Sequence, residues 1–126
     1  MAIDKKILDD TVKEVAEELK KNHSIAVNQE LQRNIVEGIP DETFRMILVE
    51  EPAELIKAIT KLCRAEDDPN SDWYGALHNL ISEMADVYII LEWLSIEFNI
   101  PKSEINDAIE QKNKRNADRW ERRIKT

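Results

Sequence analysis

The sequence predicts an all-α protein. Apolar residues recur every three or four positions along almost the whole chain, which is the spacing of one face of an α-helix. No stretch alternates apolar and polar residues over the length of a half-buried β-strand. The chain has only two Gly and four Pro, too few for an all-β sandwich or a loop-rich fold. Because 126 residues give room for one core, we expect a single helical domain spanning residues 1–126.

The composition narrows the class of protein further. Lys and Arg total 18 against 26 Asp and Glu, which gives a net charge of −8. Nucleic-acid-binding surfaces and basic membrane-surface helices need clustered positive charge, so we expect no nucleic acid and no membrane as partner. A single cysteine, Cys63, and a charged N-terminus without an apolar signal segment favour a reducing, cytoplasmic location. We expect the Cys63 thiol to be buried and not to act as a nucleophile.

Two helices are predicted within residues 1–38. The first spans about residues 4–21, and its apolar stripe comprises Ile3, Ile7, Leu8, Val12, Val15, Ala16 and Leu19. Its acidic residues are expected to face solvent; they are Asp9, Asp10, Glu14, Glu17 and Glu18. The second helix carries Val27, Leu31 and Ile35 on one stripe, and Gly38 is expected to cap its end.

Two long helices are predicted to follow. The third helix runs from Asp41, its expected N-cap, to about Arg64. Residues 65–71 are polar and contain a Pro, which indicates a loop. Asp72 is then expected to cap a fourth helix that runs to about Phe98. Because a short loop joins these two long helices, we expect them to pack antiparallel.

The C-terminal part of the chain predicts a basic helix. A turn at residues 99–101 precedes this final helix, which opens at Pro101 or Ser103. From Gln111 to Thr126 the chain has seven basic and two acidic residues. Such a face can hold phosphate oxygens, or it can be an ordinary solvated helix end that the helix dipole favours. Four of its residues share one helical face: Lys112, Arg115, Asn116 and Arg119.

Glu83 lies in the middle of an apolar stripe. At about 100° per residue, the stripe of the fourth helix comprises Ala76, Leu80, Val87, Ile90 and Leu94. Asp86 lies at the edge of the same stripe. An unpaired carboxylate at such a position would face a desolvation penalty of several kcal/mol, so it must be paired, protonated or bound to a metal. A buried salt bridge to a Lys or Arg of another helix is therefore the alternative to a metal site.

A second pair of carboxylates borders the apolar face of the third helix. Glu51 and Glu54 are three residues apart, which places their Cβ atoms roughly 5–6 Å apart on one face. The apolar residues around them are Phe44, Ile47, Leu48, Leu55, Ala58, Ile59 and Leu62. If the two long helices pack through their stripes, Glu51 and Glu54 converge with Glu83 and Asp86.

Four converging carboxylates need cations, because they would otherwise repel one another strongly. All-oxygen ligation suits Mg²⁺ or Mn²⁺ better than zinc or copper. A di-iron carboxylate bundle would need Glu-x-x-His motifs, and neither histidine has a Glu three residues before it. Pro52 lies between the two carboxylates of the third helix, so we expect this helix either to kink there or to begin later.

The two motifs together resemble those of the all-α nucleoside triphosphate pyrophosphohydrolases of the MazG kind. The pattern of that family is Glu-Glu-x-x-Glu and, on the next long helix, Glu-x-x-Asp. Here it corresponds to Glu50-Glu51-Pro52-Ala53-Glu54 and, after 28 residues, Glu83-Met84-Ala85-Asp86. The segment from Lys112 to Trp120 is similar to the Lys/Arg-Asn-rich segment that follows in such proteins. The resemblance covers roughly residues 40–120, a catalytic helical core with a basic C-terminal helix, and assigns no role to residues 1–38.

This resemblance implies Mg²⁺-dependent cleavage between the α and β phosphates of a nucleoside triphosphate. It implies that Glu51, Glu54, Glu83 and Asp86 are metal ligands, and that Glu50 supports them or activates the attacking water. The basic face of the last helix would bind the triphosphate. Relatives include dimeric dUTPases, dCTP pyrophosphatases and phosphoribosyl-ATP pyrophosphohydrolase. For this chain the resemblance implies a role in clearing unwanted nucleotides.

Other residues and other functions are compatible with the sequence. Trp73, Tyr74 and His78 could stack on a base or hold its edge, but core or interface packing is the alternative. Trp93 and Trp120 are expected to pack in the core or at a subunit contact. Because much apolar surface needs cover, we expect a homo-oligomer, a dimer or a tetramer. The alternative to an enzyme is a non-catalytic helical module that binds a partner protein.

Overall fold

The computed structural model describes residues 4–22 and 25–125, with side chains described for residues 4–18 and 25–124. This part of the chain forms five helices: α1 (Lys5–Asn22), α2 (Gln29–Gly38), α3 (Asp41–Asp67), α4 (Trp73–Glu97) and α5 (Lys102–Lys125). It contains no β-strand, so the prediction of an all-α fold is confirmed. None of the described helices combines the length and the apolar composition that crossing a bilayer requires.

α2 begins later than its apolar stripe predicts. The Asn28 side chain accepts a hydrogen bond from Leu31 N at 3.0 Å and caps the helix, so that Val27 lies outside it. The buried residues of α2 are Gln32 and Val36, whereas Leu31 is 49% exposed. The prediction that Val27 shares a stripe of this helix with Leu31 and Ile35 is therefore wrong, since Val27 precedes the helix.

The junction between α2 and α3 differs from the predicted glycine cap. Gly38 is the last residue of α2 and does not have a positive φ. Ile39 is the C-cap, with extended backbone (φ −80°, ψ 134°), because a proline disfavours helical dihedral angles in the residue before it. Pro40 is the N-cap of α3. Asp41 is the first helical residue, and its negative charge interacts favourably with the helix dipole.

α3 runs to Asp67, further than predicted. Its C-cap, Asp68, has extended backbone (φ −118°, ψ 107°), since Pro69 follows it. The Asp68 Oδ1 atom accepts a hydrogen bond from Asn70 N at 2.9 Å. The connection to α4 is thus residues 68–72 alone.

α4 is capped at both ends. Asp72 Oδ1 accepts a hydrogen bond from Gly75 N at 2.9 Å, which confirms the predicted N-cap. At the other end Asn99 has a φ of 50°, and Ile100 N donates to Ser95 O at 2.9 Å. This is the six-to-one hydrogen bond of a Schellman motif, which ends the helix before α5 begins.

The core lies where α2, α3 and α4 meet. Val36, Phe44, Ile90 and Trp93 form its buried cluster. The rings of Phe44 and Trp93 are stacked, with centroids 5.8 Å apart and planes at 19°. Trp93 Nε1 donates a hydrogen bond to Oε1 of the buried Gln32 at 2.6 Å, so α2 is tied to α4. The prediction of a packing role for Trp93 is confirmed.

α3 and α4 pack through the predicted stripes, with one exception on α3. The stripe residues of α4 are buried or half-buried, and so are Phe44, Ile47, Leu48, Leu55, Ala58 and Leu62 of α3. Ile59 is 46% exposed, because it lies about 100° around the helix from Ala58. Cys63 is exposed for the same reason, one residue after Leu62, so the prediction of a buried thiol is wrong.

The side chains of α1 and α5 lie outside this core. Every side chain described in the two helices is exposed. The acidic residues of α1 face solvent as predicted, but so do the described residues of its apolar stripe; Ile3 and the Leu19 side chain lie outside the described residues. α5 is linked to α4 near its start by an ion pair, with Lys102 Nζ 3.4 Å from Glu92 Oε2. Trp120, further along α5, is 63% exposed.

Candidate metal centre

Packing of α3 on α4 brings three carboxylates together. Glu51 of α3 lies beside Glu83 and Asp86 of α4, and one ligand atom of each lies within 4.8 Å of the other two. All three side chains are half-buried, because each lies on or beside the apolar stripe of its helix. The convergence predicted from the two motifs is therefore present for these three residues.

Glu83 is the most constrained member of this cluster. Its Oε2 atom is buried and has no hydrogen-bond partner in the described part of the chain. A buried carboxylate oxygen without a partner loses its hydration and gains nothing in exchange. An oxygen without a partner is not what the alternative of a buried salt bridge predicts for Glu83.

The local field makes Glu51 a weaker acid than an ordinary glutamate. Burial raises the pKa of Glu51 above its ordinary value of 4.5, and the negative charges of Asp86, Glu83 and Glu54 raise it further. A hydrogen bond with the Asp86 side chain acts in the same direction, since the protonated Glu51 carboxyl can donate to the Asp86 carboxylate. The cluster thus holds more negative charge than it can stabilise alone.

The residues present fit a hard divalent cation. The donor set consists of carboxylate oxygens only, which Mg²⁺ and Mn²⁺ prefer and zinc and copper do not. A cation placed among Glu51, Glu83 and Asp86 would pair the orphaned Glu83 oxygen and reverse the effect of the neighbouring charges on Glu51. The partial exposure of the cluster leaves room for water or a substrate oxygen as further ligands.

The other two predicted carboxylates lie at the edge of this cluster. Glu54 is exposed and is not one of the three residues that approach within 4.8 Å, although its charge still acts on Glu51. Glu50 is exposed as well. Both are on α3 within one turn of Glu51, so they can reach a water or a phosphate beside the cluster more readily than its centre.

Pro52 lies inside a continuous helix. α3 extends unbroken from Asp41 to Asp67, so the expectation that it begins after Pro52 is wrong. Proline has no N–H, and the Leu48 carbonyl therefore lacks its usual partner four residues on. The missing hydrogen bond thus spans residues 48–52, the turn that contains Glu50 and Glu51.

The predicted phosphate-binding residues are not beside the carboxylates within one chain. All four, Lys112, Arg115, Asn116 and Arg119, are exposed on α5. The shallow pocket lined by Asn116 and Arg119 is completed by Trp120 and Arg123, which belong to the same helix. The most extensive contacts between described helices are those of α4 with α3 and with α2, and they do not include α5.

The predicted base-binding residues lie toward the start of α4. Trp73 is half-buried and packs edge-on against Tyr74, with ring centroids 5.2 Å apart. It is ten residues before Glu83, or about 15 Å along the helix axis. His78 is exposed and points about 140° away from Glu83 around α4.

Two cations on α3 escaped the sequence analysis. Lys57 and Lys61 follow Glu54 by three and seven residues, so they lie on the same side of the helix. Lys61 also lines a polar pocket of the α3–α4 connection, together with Arg64 and Ser71. Their helical spacing from Glu54 is the sequence signal for this placement, although the basic residues are more concentrated in the last helix.

The comparisons with known proteins add no family to these observations. No family model matches the chain, and no curated protein and no solved structure matches it either. The resemblance to the MazG-like pyrophosphohydrolases therefore rests on the motif residues themselves, and it stays a prediction.

Proposed function

We propose that the protein is an Mg²⁺-dependent nucleoside triphosphate pyrophosphohydrolase, a hydrolase of phosphoanhydride bonds. The observation that carries this proposal is the cluster of Glu51, Glu83 and Asp86, with its orphaned oxygen and its raised pKa. Three carboxylates whose ligand atoms lie within 4.8 Å of one another repel one another and destabilise the fold. A purely structural role therefore does not account for them. The reaction converts a nucleoside triphosphate and water into a monophosphate and pyrophosphate.

Cation binding and proton transfer are assigned to different carboxylates. Glu51, Glu83 and Asp86 would bind Mg²⁺ directly, with Glu54 as a further ligand from the adjacent turn of α3; Mn²⁺ would substitute. When bound, the ion supplies neutralisation of phosphate charge and acidification of water. Glu50, exposed one residue before Glu51, would accept the proton of the attacking water.

Two contacts indicate the relative direction of α3 and α4. Phe44, early in α3, stacks on Trp93, late in α4, whereas Glu51 lies beside Asp86. Contacts that run in opposite directions along the two helices favour the antiparallel hairpin expected from the short connection.

The remaining substrate contacts come from residues outside the cluster. Lys112, Arg115, Asn116 and Arg119 would bind the triphosphate oxygens, and Trp73 and His78 would contact the base. Since α5 is exposed along its length, its basic face would reach a carboxylate cluster only in an oligomer. A cytoplasmic location, where nucleotides and Mg²⁺ are available, is part of the proposal.

Pyrophosphate release from a panel of ribo- and deoxynucleoside triphosphates, with and without Mg²⁺, tests the enzyme. We expect Mg²⁺-dependent turnover that Glu83→Gln and Glu54→Gln abolish while the circular dichroism stays helical. Glu66→Gln is the matched control, because Glu66 is an exposed glutamate of α3, the helix that carries Glu54. No turnover on any nucleotide, together with no Mg²⁺-dependent shift of the melting temperature, would refute the proposal.

A non-catalytic interaction module is the second candidate, and one observation favours it. Large apolar side chains are exposed on several helices, including Met46, Val49 and Ile56 of α3. Exposed apolar surface of this extent is typical of proteins that bind a partner. The nucleotide panel separates the two candidates, since an interaction module would release pyrophosphate from no nucleotide, with or without Glu83→Gln.

A further inference from the structure

The connection between α3 and α4 forms a polar pocket, here called the connection pocket. Its volume is about 420 Å³. Its charged and polar side chains come from the end of α3, from the connection itself and from the start of α4. They are Lys61, Arg64, Asp68, Ser71, Asp72 and Asn79. A lining of this kind favours a polar ligand.

The acceptor groups of the connection pocket already hold the backbone in place. Asp68 Oδ1 accepts a hydrogen bond from Asn70 N at 2.9 Å, and Asp72 Oδ1 accepts one from Gly75 N at 2.9 Å. The Asp72 carboxylate lies so close to Gly75 that a Cβ atom at this position would collide with it. Ser71 Oγ donates to Asp68 O at 2.7 Å. These polar groups are therefore engaged in shaping the connection.

The long side chains of the connection pocket contribute hydrogen-bond donors. Among the described residues, no carboxylate forms an ion pair with Lys61 or Arg64. Ammonium and guanidinium groups only donate, and the Asn79 amide group both donates and accepts. Because charged donors form their strongest hydrogen bonds with anionic oxygens, these three side chains favour a ligand that carries such oxygens.

The connection pocket lies in line with the carboxylate cluster, on the same side of the two long helices. Lys61 follows Glu54 by seven residues, and Asn79 precedes Asp86 by seven. Seven residues return to within about 20° of the same direction around a helix and advance by about 10 Å along its axis. Since Lys61 and Asn79 line one pocket, both displacements run toward the connection. A ligand that is held at one end by the cluster can therefore extend into the connection pocket.

We propose that the connection pocket binds the pyrophosphate half of the nucleoside triphosphate, the β and γ phosphates. Lys61 and Arg64 bind its oxygens directly, and the Asn79 amide group donates to them. All three residues belong to the two helices that carry the carboxylates, so this contact needs no second chain. The identity of the substrate rests on the proposed function, whereas the affinity for a pyrophosphate anion does not.

The two carboxylates of the connection pocket influence which form of the anion fits. Asp68 and Asp72 balance the charges of Lys61 and Arg64 in the lining. The positive end of the α4 dipole offsets part of the charge of Asp72, which is the N-cap of that helix. Pyrophosphate bound to Mg²⁺ carries less negative charge than the free anion, and it is therefore the form that we expect to bind.

Isothermal titration calorimetry of the full chain with inorganic pyrophosphate and Mg²⁺ tests the proposal. Lys61→Met and Arg64→Met should each lower the affinity about tenfold, because each removes a charged hydrogen-bond donor. Arg45→Met is the matched control, since Arg45 is an exposed arginine of α3 that does not line the connection pocket. It should leave the affinity unchanged. All three side chains are exposed, so the circular dichroism of the variants should stay helical.

Asp68→Asn tests the same pocket with the opposite sign. The Asn side chain keeps an oxygen that can accept from Asn70 N, but it removes one negative charge from the lining. This change should raise the affinity for pyrophosphate about threefold. Glu66→Gln removes the same charge from an exposed position of α3 outside the pocket and should have no such effect. A gain in affinity cannot result from a damaged fold.

Three results would overturn the proposal. The first is that the unmodified chain does not bind pyrophosphate, and the second is that Lys61→Met and Arg64→Met bind it as tightly as Arg45→Met does. The third is a loss of binding in Arg119→Met without a loss in the pocket variants, which would assign the pyrophosphate to α5.

This inference and the proposed function can fail separately, because the titration requires no turnover. Nucleotide hydrolysis by a chain whose pocket variants bind pyrophosphate normally would support the enzyme and refute the pocket. A chain that hydrolyses no nucleotide, but binds pyrophosphate and loses this binding in the pocket variants, would support the anion site and refute the enzyme.

Discussion

At the scale of single residues, the buried Oε2 atom of Glu83 is an unfavourable group that the fold nevertheless contains. A buried polar atom without a partner costs about 1–3 kcal/mol, and more when it is charged. The Oε2 atom of Glu83 is such an atom, and the neighbouring carboxylates increase the cost instead of reducing it. An unfavourable buried group of this kind is typical of positions that a ligand stabilises when it binds.

The raised pKa of Glu51 predicts that stability depends on pH. The folded protein ionises Glu51 at a higher pH than the unfolded chain does, so the free energy of unfolding falls as the pH rises from about 4.5 through the folded pKa. Glu51→Gln removes this ionisation and should flatten the decline. Urea unfolding between about pH 4 and 7, in the presence of a chelator, measures the slope.

The control for this experiment is a glutamate outside the cluster. Glu66→Gln should keep the slope of the unmodified chain, since Glu66 is exposed on the same helix. An equal slope in the unmodified chain and in Glu51→Gln would mean that Glu51 is not the group that titrates. With Mg²⁺ present the sign should change, because the cation stabilises the ionised form.

The hydrogen bond between Trp93 and Gln32 predicts a second single-residue effect. Trp93→Phe leaves the buried Gln32 Oε1 atom without its donor and should lower the free energy of unfolding by about 2 kcal/mol. The double variant Gln32→Met with Trp93→Phe should recover part of this loss, because two apolar groups replace the broken pair. Urea unfolding of the four members of the double-mutant cycle gives the coupling energy; a coupling energy of zero would contradict the prediction.

Sequence reasoning succeeded at residues whose pattern extends over many positions. Glu83 could be found because apolar residues surround it at helical spacing on both sides. The pairing of Gln32 with Trp93 could not be found, because it joins positions 61 residues apart and depends on how α2 approaches α4. The exposure of Cys63 was missed because a single apolar residue beside a stripe gives no signal of its own.

At the scale of helices, Pro52 removes one backbone hydrogen bond from the interior of α3. Proline inside a helix costs about 3 kcal/mol relative to Ala, and part of this is regained because proline also restricts the unfolded chain. Pro52→Ala should therefore raise the free energy of unfolding by about 2 kcal/mol. Thermal unfolding followed by circular dichroism measures the change.

The chain offers a matched proline for this test. Pro40 is the N-cap of α3 and has φ −59°, ψ 141°, so its missing N–H interrupts no hydrogen bond inside a helix. Pro40→Ala should change the stability by less than half as much as Pro52→Ala. An equal gain for the two variants would show that the stability difference comes from the unfolded chain and not from α3.

Helix ends divide into those that the sequence specified and those that it did not. Asp72 was found because a side-chain cap follows a polar loop and precedes an apolar run. The start of α3 was misplaced by one residue, since Asp41 is a common cap residue and Pro40 occupies the position instead. The end of α3 was placed too early, because the polar residues 65–67 resemble a loop in composition although only Pro69 forces the helix to end.

At the scale of the whole molecule, the large exposed surface predicts that stability depends on protein concentration. A dimer that unfolds to single chains gains stability by mass action. A hundredfold increase in concentration adds about 2.7 kcal/mol per dimer, which corresponds to a rise of about 5 °C in the melting temperature for a molecule of this size. Differential scanning calorimetry at two concentrations measures the rise.

A melting temperature that is independent of concentration would contradict this prediction. The Val15→Glu variant is its control, because a charge among the exposed apolar side chains of α1 should weaken association through that helix without touching the core of α2, α3 and α4. The expectation of an oligomer rests on the amount of apolar sequence, and it stays a prediction. Which surface stays uncovered was not predictable, since α4 has apolar residues on all sides and only the structure shows which of them α3 covers.

The three tryptophans give this fold its own optical reporters. Trp93 is 7% exposed and stacked on Phe44, whereas Trp120 is 63% exposed on α5. Trp73, at the start of α4, lies in an environment between these two extremes. The emission of a buried indole lies at shorter wavelength than that of a hydrated one, so one spectrum contains separate signals from the core and from α5. The blue part of that spectrum follows the docking of α2 on α4, and the red part follows whatever approaches the basic helix.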